Sequence, residues 1–241
     1  MSPEEAVEAV RRGRDARLTE YLALIEAHPD WFGGPVDGVT IVVEPSGIAE
    51  IEETMAVRYA GKGWPAEWAQ IGLGYEDPYL LVLRDAVRFL DGGPGVHHRV
   101  VRRAGNAAGV AMLPIHDGQI ALLRHYRHPM RAWSWEIPRG AVEPGDSPEE
   151  MVRIELLEEI EAVVESLTPL GRVFGSTGFM GLSVETYLAR IGGFGKPALD
   201  EGIGEVILVS VERFEAMVRD GEIVDSFTLA AFLHARLRGL I

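Results

Sequence analysis

Glu155, Glu158 and Glu159 stand at i, i+3 and i+4, a spacing that gathers three carboxylates on one face of a helix. Such like-charge neighbours repel by a few tenths of a kcal/mol per pair on an exposed helix. A hard divalent cation reverses the sign of that term. Mg²⁺ takes oxygen ligands and is bound through a few carboxylates together with substrate phosphates. The same three acids, read alone, also fit a solvated acidic face.

The element that must position them is Gly140–Ala162, GAVEPGDSPEEMVRIELLEEIEA. It opens as a Gly/Pro turn and becomes a helix. Asp146 or Ser147 can cap it, Pro148 fits its first turn, and Glu149 and Glu150 suit its positive end. Val152, Leu156, Ile160 and Val163 recur at helical spacing and give it an apolar face.

The rest of the chain sets bounds. It has 241 residues, 47% of them hydrophobic and 25% charged, which is ordinary for a globular protein. No apolar run approaches the ~18 residues of a membrane span, and the acidic, amphipathic start MSPEEAVEAV is unlike a signal peptide, so a cytoplasmic protein is expected. With no cysteine in the sequence, disulfides, thiolate zinc sites and a Cys nucleophile are excluded. The formal net charge of -14 argues against nucleic acid as a partner, since nonspecific binding rests on Lys and Arg neutralising phosphates. A small phosphate-bearing substrate stays compatible if metal ions and local arginines supply positive charge.

In order, Ser2-Pro3-Glu4-Glu5 starts a helix expected to run to about Ala27. Residues 39–43 read as a strand, and Ser46 can cap a second helix ending at Gly61. The Gly- and aromatic-rich stretch that follows holds Trp64 and Trp68, expected to be buried against a neighbouring domain. Strands are then expected from Tyr79 with a turn at Asp91-Gly92-Gly93, at 108–115 and 119–126 around Asp117-Gly118, and at 132–137. After the acidic helix come strands at 167–174, 184–191 and 205–211, then helices at about 211–219 and 227–238. Strands before and after one central helix make an α+β (mixed α/β) fold rather than a repeating βαβ chain. No G-x-G-x-x-G follows a strand and no P-loop pattern occurs.

The acidic segment resembles the Nudix box, G-x5-E-x7-R-E-U-x-E-E-x-G-U with U aliphatic. Gly140, Glu155, Leu156, Glu158 and Glu159 fit, and Asp146 stands where the pattern has Glu. Ile154 replaces the Arg, Glu161 replaces the second Gly, and Ala162 is a small final residue. The likeness extends to ALLRHYRHP (Ala121–Pro129), WSWEIPRG (Trp133–Gly140), GSTGFMGLSVETYLARI (Gly175–Ile191) and GEIVDSFTLAAFLHARL (Gly221–Leu237), which are similar to the ADP-ribose pyrophosphatase branch of the Nudix hydrolases.

That resemblance implies a Nudix-type α/β/α sandwich with a mixed β-sheet over residues 76–241. Residues 1–75 form an N-terminal helical and strand annex outside it. It implies hydrolysis of the pyrophosphate bond in a nucleoside diphosphate derivative of ADP-ribose or nucleotide-sugar type, with Mg²⁺ or Mn²⁺, in a homodimer without nucleic-acid or membrane partners. Carried over by position, Glu155 and Glu159 are the main metal ligands with Glu158 assisting, and a backbone carbonyl of Arg139 or Gly140 completes the shell. A late-loop acid serves as general base, with Glu201 preferred over Asp200. Arg124 and Arg127 are phosphate-binding candidates, and Arg127 equally fits a structural ion pair. Glu136 either reads a ribose or amide, or closes a hydrogen-bond network. His97, His98, His125 and His128 are expected to be structural.

The departures have expected consequences. Arg153 is the candidate to replace the missing Arg, and the helix is expected to continue past Glu161 to about Val164. An alternative to the enzyme is a weakened or inactive module that binds a nucleotide or a protein partner.

Overall fold

Ser2 opens the first helix with a reciprocal cap. Its Oγ accepts from the Glu5 N–H at 3.2 Å and Glu5 Oε2 accepts from the Ser2 N–H at 2.6 Å. In a computed structural model, which describes residues 1–34, 37–103, 109–142 and 145–241, this helix is short. α1 covers Pro3–Arg11 and α2 covers Arg14–Ala27. The single helix expected to Ala27 is broken at Gly13, which takes φ 65, a left-handed conformation that glycine adopts without a Cβ clash. Tertiary ion pairs override the helical pattern here. Arg11 and Arg14 both reach Glu53 at 3.0 Å, and Arg14 and Arg17 hold Glu52 at 2.6 and 2.9 Å.

The chain divides into two compact units, Met1–Arg103 with Gly178–Gly181, and Ala104–Thr177 with Leu182–Ile241. In the first, α3 (Pro45–Gly61) packs with α1 over a small antiparallel sheet. The sheet comprises β1 (Thr40–Ile41), β2 (Gly72–Glu76), β3 (Leu80–Arg88) and β4 (Pro94–Arg102). β3 pairs with the other three. The first unit therefore runs beyond residue 75. β2 has β3 as its partner, and Ala86 and partly buried Val96 complete the core built on Ala6, Tyr21, Ile48 and Ile51. Two local expectations also change. Trp64 and Trp68 are 47% and 55% exposed, because the turn Ala66–Ala69 buries its alanines instead of its indoles. Of the strand expected at 39–43, Thr40–Ile41 pairs in the sheet, and the Val42 N–H still reaches the Ala86 carbonyl at 2.8 Å.

The second unit is built on β5 (Gly109–His116) and β6 (Gln119–Arg127). Asp117 (φ 47) and Gly118 (φ 77) supply the two positive φ values of a tight hairpin between them. The hairpin partners pair only near the turn and then separate. β6 continues along β7 (Ala132–Glu136), and β5 along β8 (Arg139–Ala141). β11 (Ile203–Val209) borders β6, and β10 (Ser183–Ile191) runs parallel to β5 and antiparallel to β9 (Val164–Phe174).

Side-chain alternation along β5 sorts the core. Val110 and Met112 pack with Val152, Leu156 and Ile160 of α4 (Pro148–Ile160), while Ala111, Leu113 and Ile115 pack with Phe214 of α5 (Val211–Arg219) and Phe232 of α6 (Ser226–Leu237). This is an α/β/α sandwich around a mixed sheet, as the resemblance implied. The expected strand residue Ala108, loop residues Pro35 and Val36, and Glu143 and Pro144 of the box turn lie outside the described residues.

Glu52 tests the packing of the first unit. It is fully buried and accepts from Arg14, Arg17 and the Ile71 N–H. Removing one partner of a buried charged network leaves the others uncompensated. Glu52→Ala is expected to cost about 3–5 kcal/mol in urea unfolding; a loss under about 1 kcal/mol would mean that solvent already screens these charges.

Candidate functional site

Ser147, rather than Asp146, caps α4, with Oγ accepting from the Glu150 N–H at 3.4 Å. From there the helix brings Glu155 and Glu159 against β8. The Arg139 N–H reaches Glu159 Oε2 at 3.3 Å, and the Ala141 N–H bonds to Glu155. Alternation along the strand explains the pairing. Pro138 turns its carbonyl to the Met112 N–H of β5 at 3.0 Å, so Gly140 faces β5 as well, and residues 139 and 141 present their polar backbone edge to the helix. Of the two carbonyls expected as ligands, this geometry favours Arg139 over Gly140.

Gly140 has a different task. A Cβ on it would lie 1.7 Å from Glu155 Oε1 and 2.4 Å from Glu155 Cγ. Only glycine leaves room for that carboxylate.

The two acids are unfavourably placed for their own charge. Burial, then the charges of Glu158 and Glu201, push Glu155 up to about 7. Burial, then Glu155 and Glu201, push Glu159, 2% exposed, up to about 8. Arg153 does not replace the missing Arg; its Nη1 donates to the Val164 carbonyl at 3.1 Å. Ile154 is 44% exposed. No ion pair reaches Glu155, Glu158 or Glu159 among the described residues.

The end of α4 positions the fourth acid. The helix stops at Ile160 instead of continuing to Val164, and Glu161 takes φ 53. The Glu161 N–H bonds to the Leu157 carbonyl (3.0 Å) and the Ala162 N–H to the Leu156 carbonyl (2.9 Å), closing the helix in the manner normally given to glycine. A non-glycine residue there costs about 1 kcal/mol. Glu161 offsets this by accepting from the Lys196 N–H at 3.2 Å. The loop containing Lys196 also caps the free carbonyls of the helix, Gly195 to Ile160 at 2.8 Å and Ala198 to Glu159 at 2.9 Å. It leads directly into the turn Leu199–Glu201. Glu201 is exposed, yet its charge is felt by both Glu155 and Glu159, whereas Asp200 is no such source.

Beside the acids lies a second network. Glu136, 1% exposed, accepts from Arg127 in a short bond and from Arg139 Nη2 at 3.2 Å. Burial raises its pKa, with Arg127 and Arg139 opposing. Of its two expected roles, Glu136 takes that of closing a network. Arg127 is the structural partner, while its buried Nε has no acceptor. His125 Nδ1 lies 3.2 Å from Glu136 Oε1 without hydrogen-bond alignment, and its ring bonds to the Glu201 backbone. Burial, with Arg127 and Arg139 nearby, pushes this histidine down to about 4, so it is neutral at pH 7.

Arg124 is not brought to the acids. Alternation puts it on the face opposite His125 and Arg127, exposed and over the Trp133 ring at 5.3 Å. Sequence reading missed Asp225 and Thr228. Asp225 caps α6 through the Thr228 N–H (2.9 Å) and lies 3.4 Å from Arg139 Nη1, and Thr228 Oγ1 accepts from the Ile137 N–H (3.0 Å). The D-x-x-T cap pattern was the available signal.

The donor set fits a hard divalent ion. Two carboxylates and a carbonyl edge are oxygen donors, and a cation would offset the burial and the neighbouring negative charge that raise both acids. Among the described residues no three His, Cys, Asp or Glu side chains are already gathered to chelate one, which fits a site completed by backbone oxygen and substrate phosphate.

Two tests follow from this geometry. Between about pH 4.3 and pH 8 the folded, metal-free chain holds protons on Glu155 and Glu159 that the unfolded chain has released. Stability therefore falls as pH rises through that window and levels off above it. In chelator, the melting temperature is expected to fall with pH more steeply than that of Glu159→Gln; parallel curves would contradict the burial of an uncompensated acid. Gly140→Ala is expected to displace the flexible Glu155 side chain, lowering metal affinity at least about tenfold while shifting the melting temperature little. Unchanged affinity would refute the cradle.

The NUDIX domain family model matches residues 105–227, about half of the chain. An ADP-ribose pyrophosphatase of Bacillus subtilis is 30% identical over 153 residues, 62% of this chain and 81% of that protein. A GDP-mannose pyrophosphatase of Yersinia enterocolitica is 27% identical over 162 residues, 63% of this chain and 84% of that protein. A crystal structure of an ADP compounds hydrolase superposes with TM-score 0.62 at 19% identity, covering 71% of this chain and 93% of that one, which supports the fold. The chain belongs to the NUDIX domain family and is ADP-ribose pyrophosphatase-like.

Proposed function

We propose that the protein is a divalent-metal-dependent pyrophosphohydrolase acting on a nucleoside diphosphate derivative of the ADP-ribose or nucleotide-sugar type. The observation that carries this reading is the pair of half-buried Glu155 and buried Glu159, neither in an ion pair among the described residues, set on the backbone edge of β8 with Glu201 in range. An isolated buried charge is expensive, so a fold that keeps two of the same sign together is explained by a cation that joins them. The pyrophosphatase names of two similar proteins give the same direction.

Glu155 and Glu159 would hold the ions, Mg²⁺ or Mn²⁺, with Glu158 assisting at the exposed side and the Arg139 carbonyl completing the oxygen set. The bound ions supply charge neutralisation on the phosphoryl oxygens. Arg127, whose Nε lacks an acceptor, offers a charged donor to the diphosphate. Water attacks one phosphorus, the bridging P–O bond breaks, and Glu201 takes the proton from the water. For ADP-ribose the products are AMP and ribose 5-phosphate. His125 and the Gly195–Ala198 loop fix the turn that carries Glu201. The reading places this chemistry in a cytoplasmic homodimer.

The test is turnover of ADP-ribose and nucleotide sugars with Mg²⁺ or Mn²⁺. Glu159→Gln is expected to lower kcat at least about 100-fold with the fold intact by circular dichroism. Normal turnover by that variant would remove the metal role of Glu159, and ligand-induced thermal stabilisation without any turnover by the wild type would favour a binding module.

A further inference from the structure

A second candidate site lies wholly in the first unit, far along the chain from the box residues. Tyr59 of α3, Trp64 and Trp68 of the following turn, Arg84 of β3 and His98 of β4 line a cavity of about 360 Å³. Register explains the grouping. Arg84 pairs with His98 on one side and with Gly72 on the other, so it sits at the middle of the sheet.

The aromatic rings form a chain. Tyr59 and Trp64 have centroids 5.6 Å apart, and Trp64 and Trp68 6.3 Å, while both indoles stay about half exposed. Exposed indoles around a hollow are a poor use of apolar area unless a ring enters between them.

Arg84 is the stronger observation. Its Nε is buried without an acceptor, and no ion pair or hydrogen bond of its guanidinium occurs among the described residues. The acid whose charge it feels, Glu52, is already committed to Arg14, Arg17 and the Ile71 N–H. Burying this charged donor without an acceptor is costly, and an entering anion removes that cost. The Lys62 ammonium, 5.0 Å from the Trp64 ring centroid, adds a second positive charge beside the cavity. Both cations stand out in a chain whose formal net charge is -14.

We propose that this cavity binds a nucleoside 5′-monophosphate, its base stacked against the indoles and its phosphate on Arg84. The planar base matches the aromatic wall. Two cations favour a dianionic phosphate over a monoanionic carboxylate. A flat protein surface would cover the indoles and leave the recessed Nε without its acceptor. The volume is within the range of small-ligand pockets, about 300–1,000 Å³. The site is independent of the metal-binding acids, so its occupancy needs no divalent ion.

The experiment is isothermal titration of the full chain in chelator with three probes: AMP, adenosine and ribose 5-phosphate. AMP is expected to bind saturably, and the other two at least about tenfold more weakly, since each lacks one half of the recognition. Arg84→Met and, separately, Trp68→Leu are expected to weaken AMP at least about tenfold, whereas Glu159→Gln leaves AMP affinity unchanged. Trp68 is half exposed, so its variant keeps the test open if Arg84→Met folds poorly. No saturable AMP binding, adenosine binding as tightly as AMP, or affinity lost in Glu159→Gln but kept in Arg84→Met and Trp68→Leu would overturn the proposal. The last result would assign AMP to the box acids. Self-association through the indoles with no AMP binding would assign the patch to a second copy of the chain.

Discussion

Repulsion between Glu155 and Glu159 is the constraint around which the second unit is arranged. Glu159 is buried and Glu155 half-buried, both feel the charge of Glu201, and among the described residues no basic side chain forms an ion pair with either. Backbone amides of Arg139 and Ala141 partly satisfy them, but a pair of neutral donors does not cancel two charges. Everything close by either makes room for the pair or orders its surroundings. Gly140 gives up its side chain, Ser147 fixes the helix start, and the Gly195–Ala198 loop ties off the helix end.

The neighbouring polar network separates two kinds of charge. Glu136 is neutralised by arginines on both sides, and its surroundings rigidify β7 and β8 through Asp225 and Thr228. The box acids receive no such partner. Acids of one unit thus have opposite fates, and the difference marks which pair needs a ligand.

Much of this was legible before any coordinates. The strands at 119–126 and 132–137, the Asp117-Gly118 hairpin and the acidic helix follow from periodicity and turn chemistry. The α/β/α arrangement followed from resemblance. What escaped depended on contacts between distant residues. Gly13 breaks a helix because Arg11 and Arg14 are drawn to α3. Glu161 accepts a left-handed backbone because a loop 35 residues away in sequence bonds its side chain. Arg153 looked like a substitute for the missing Arg, but the Val164 carbonyl takes it. Arg124 was grouped with Arg127 by proximity in sequence, and the period-2 alternation of a strand divides them. The limit of the first unit was hidden because β2 to β4 resemble any other strands until their partners are known.

The central claim is that the crowded acids of α4 exist to meet cations. Diffraction from a crystal soaked in Mn²⁺, recorded at the manganese edge, addresses it directly. The account predicts anomalous density between Glu155, Glu159 and the carbonyl of Arg139. Ordered carboxylates turned away from each other onto protein donors, with no manganese signal beside them, would contradict it.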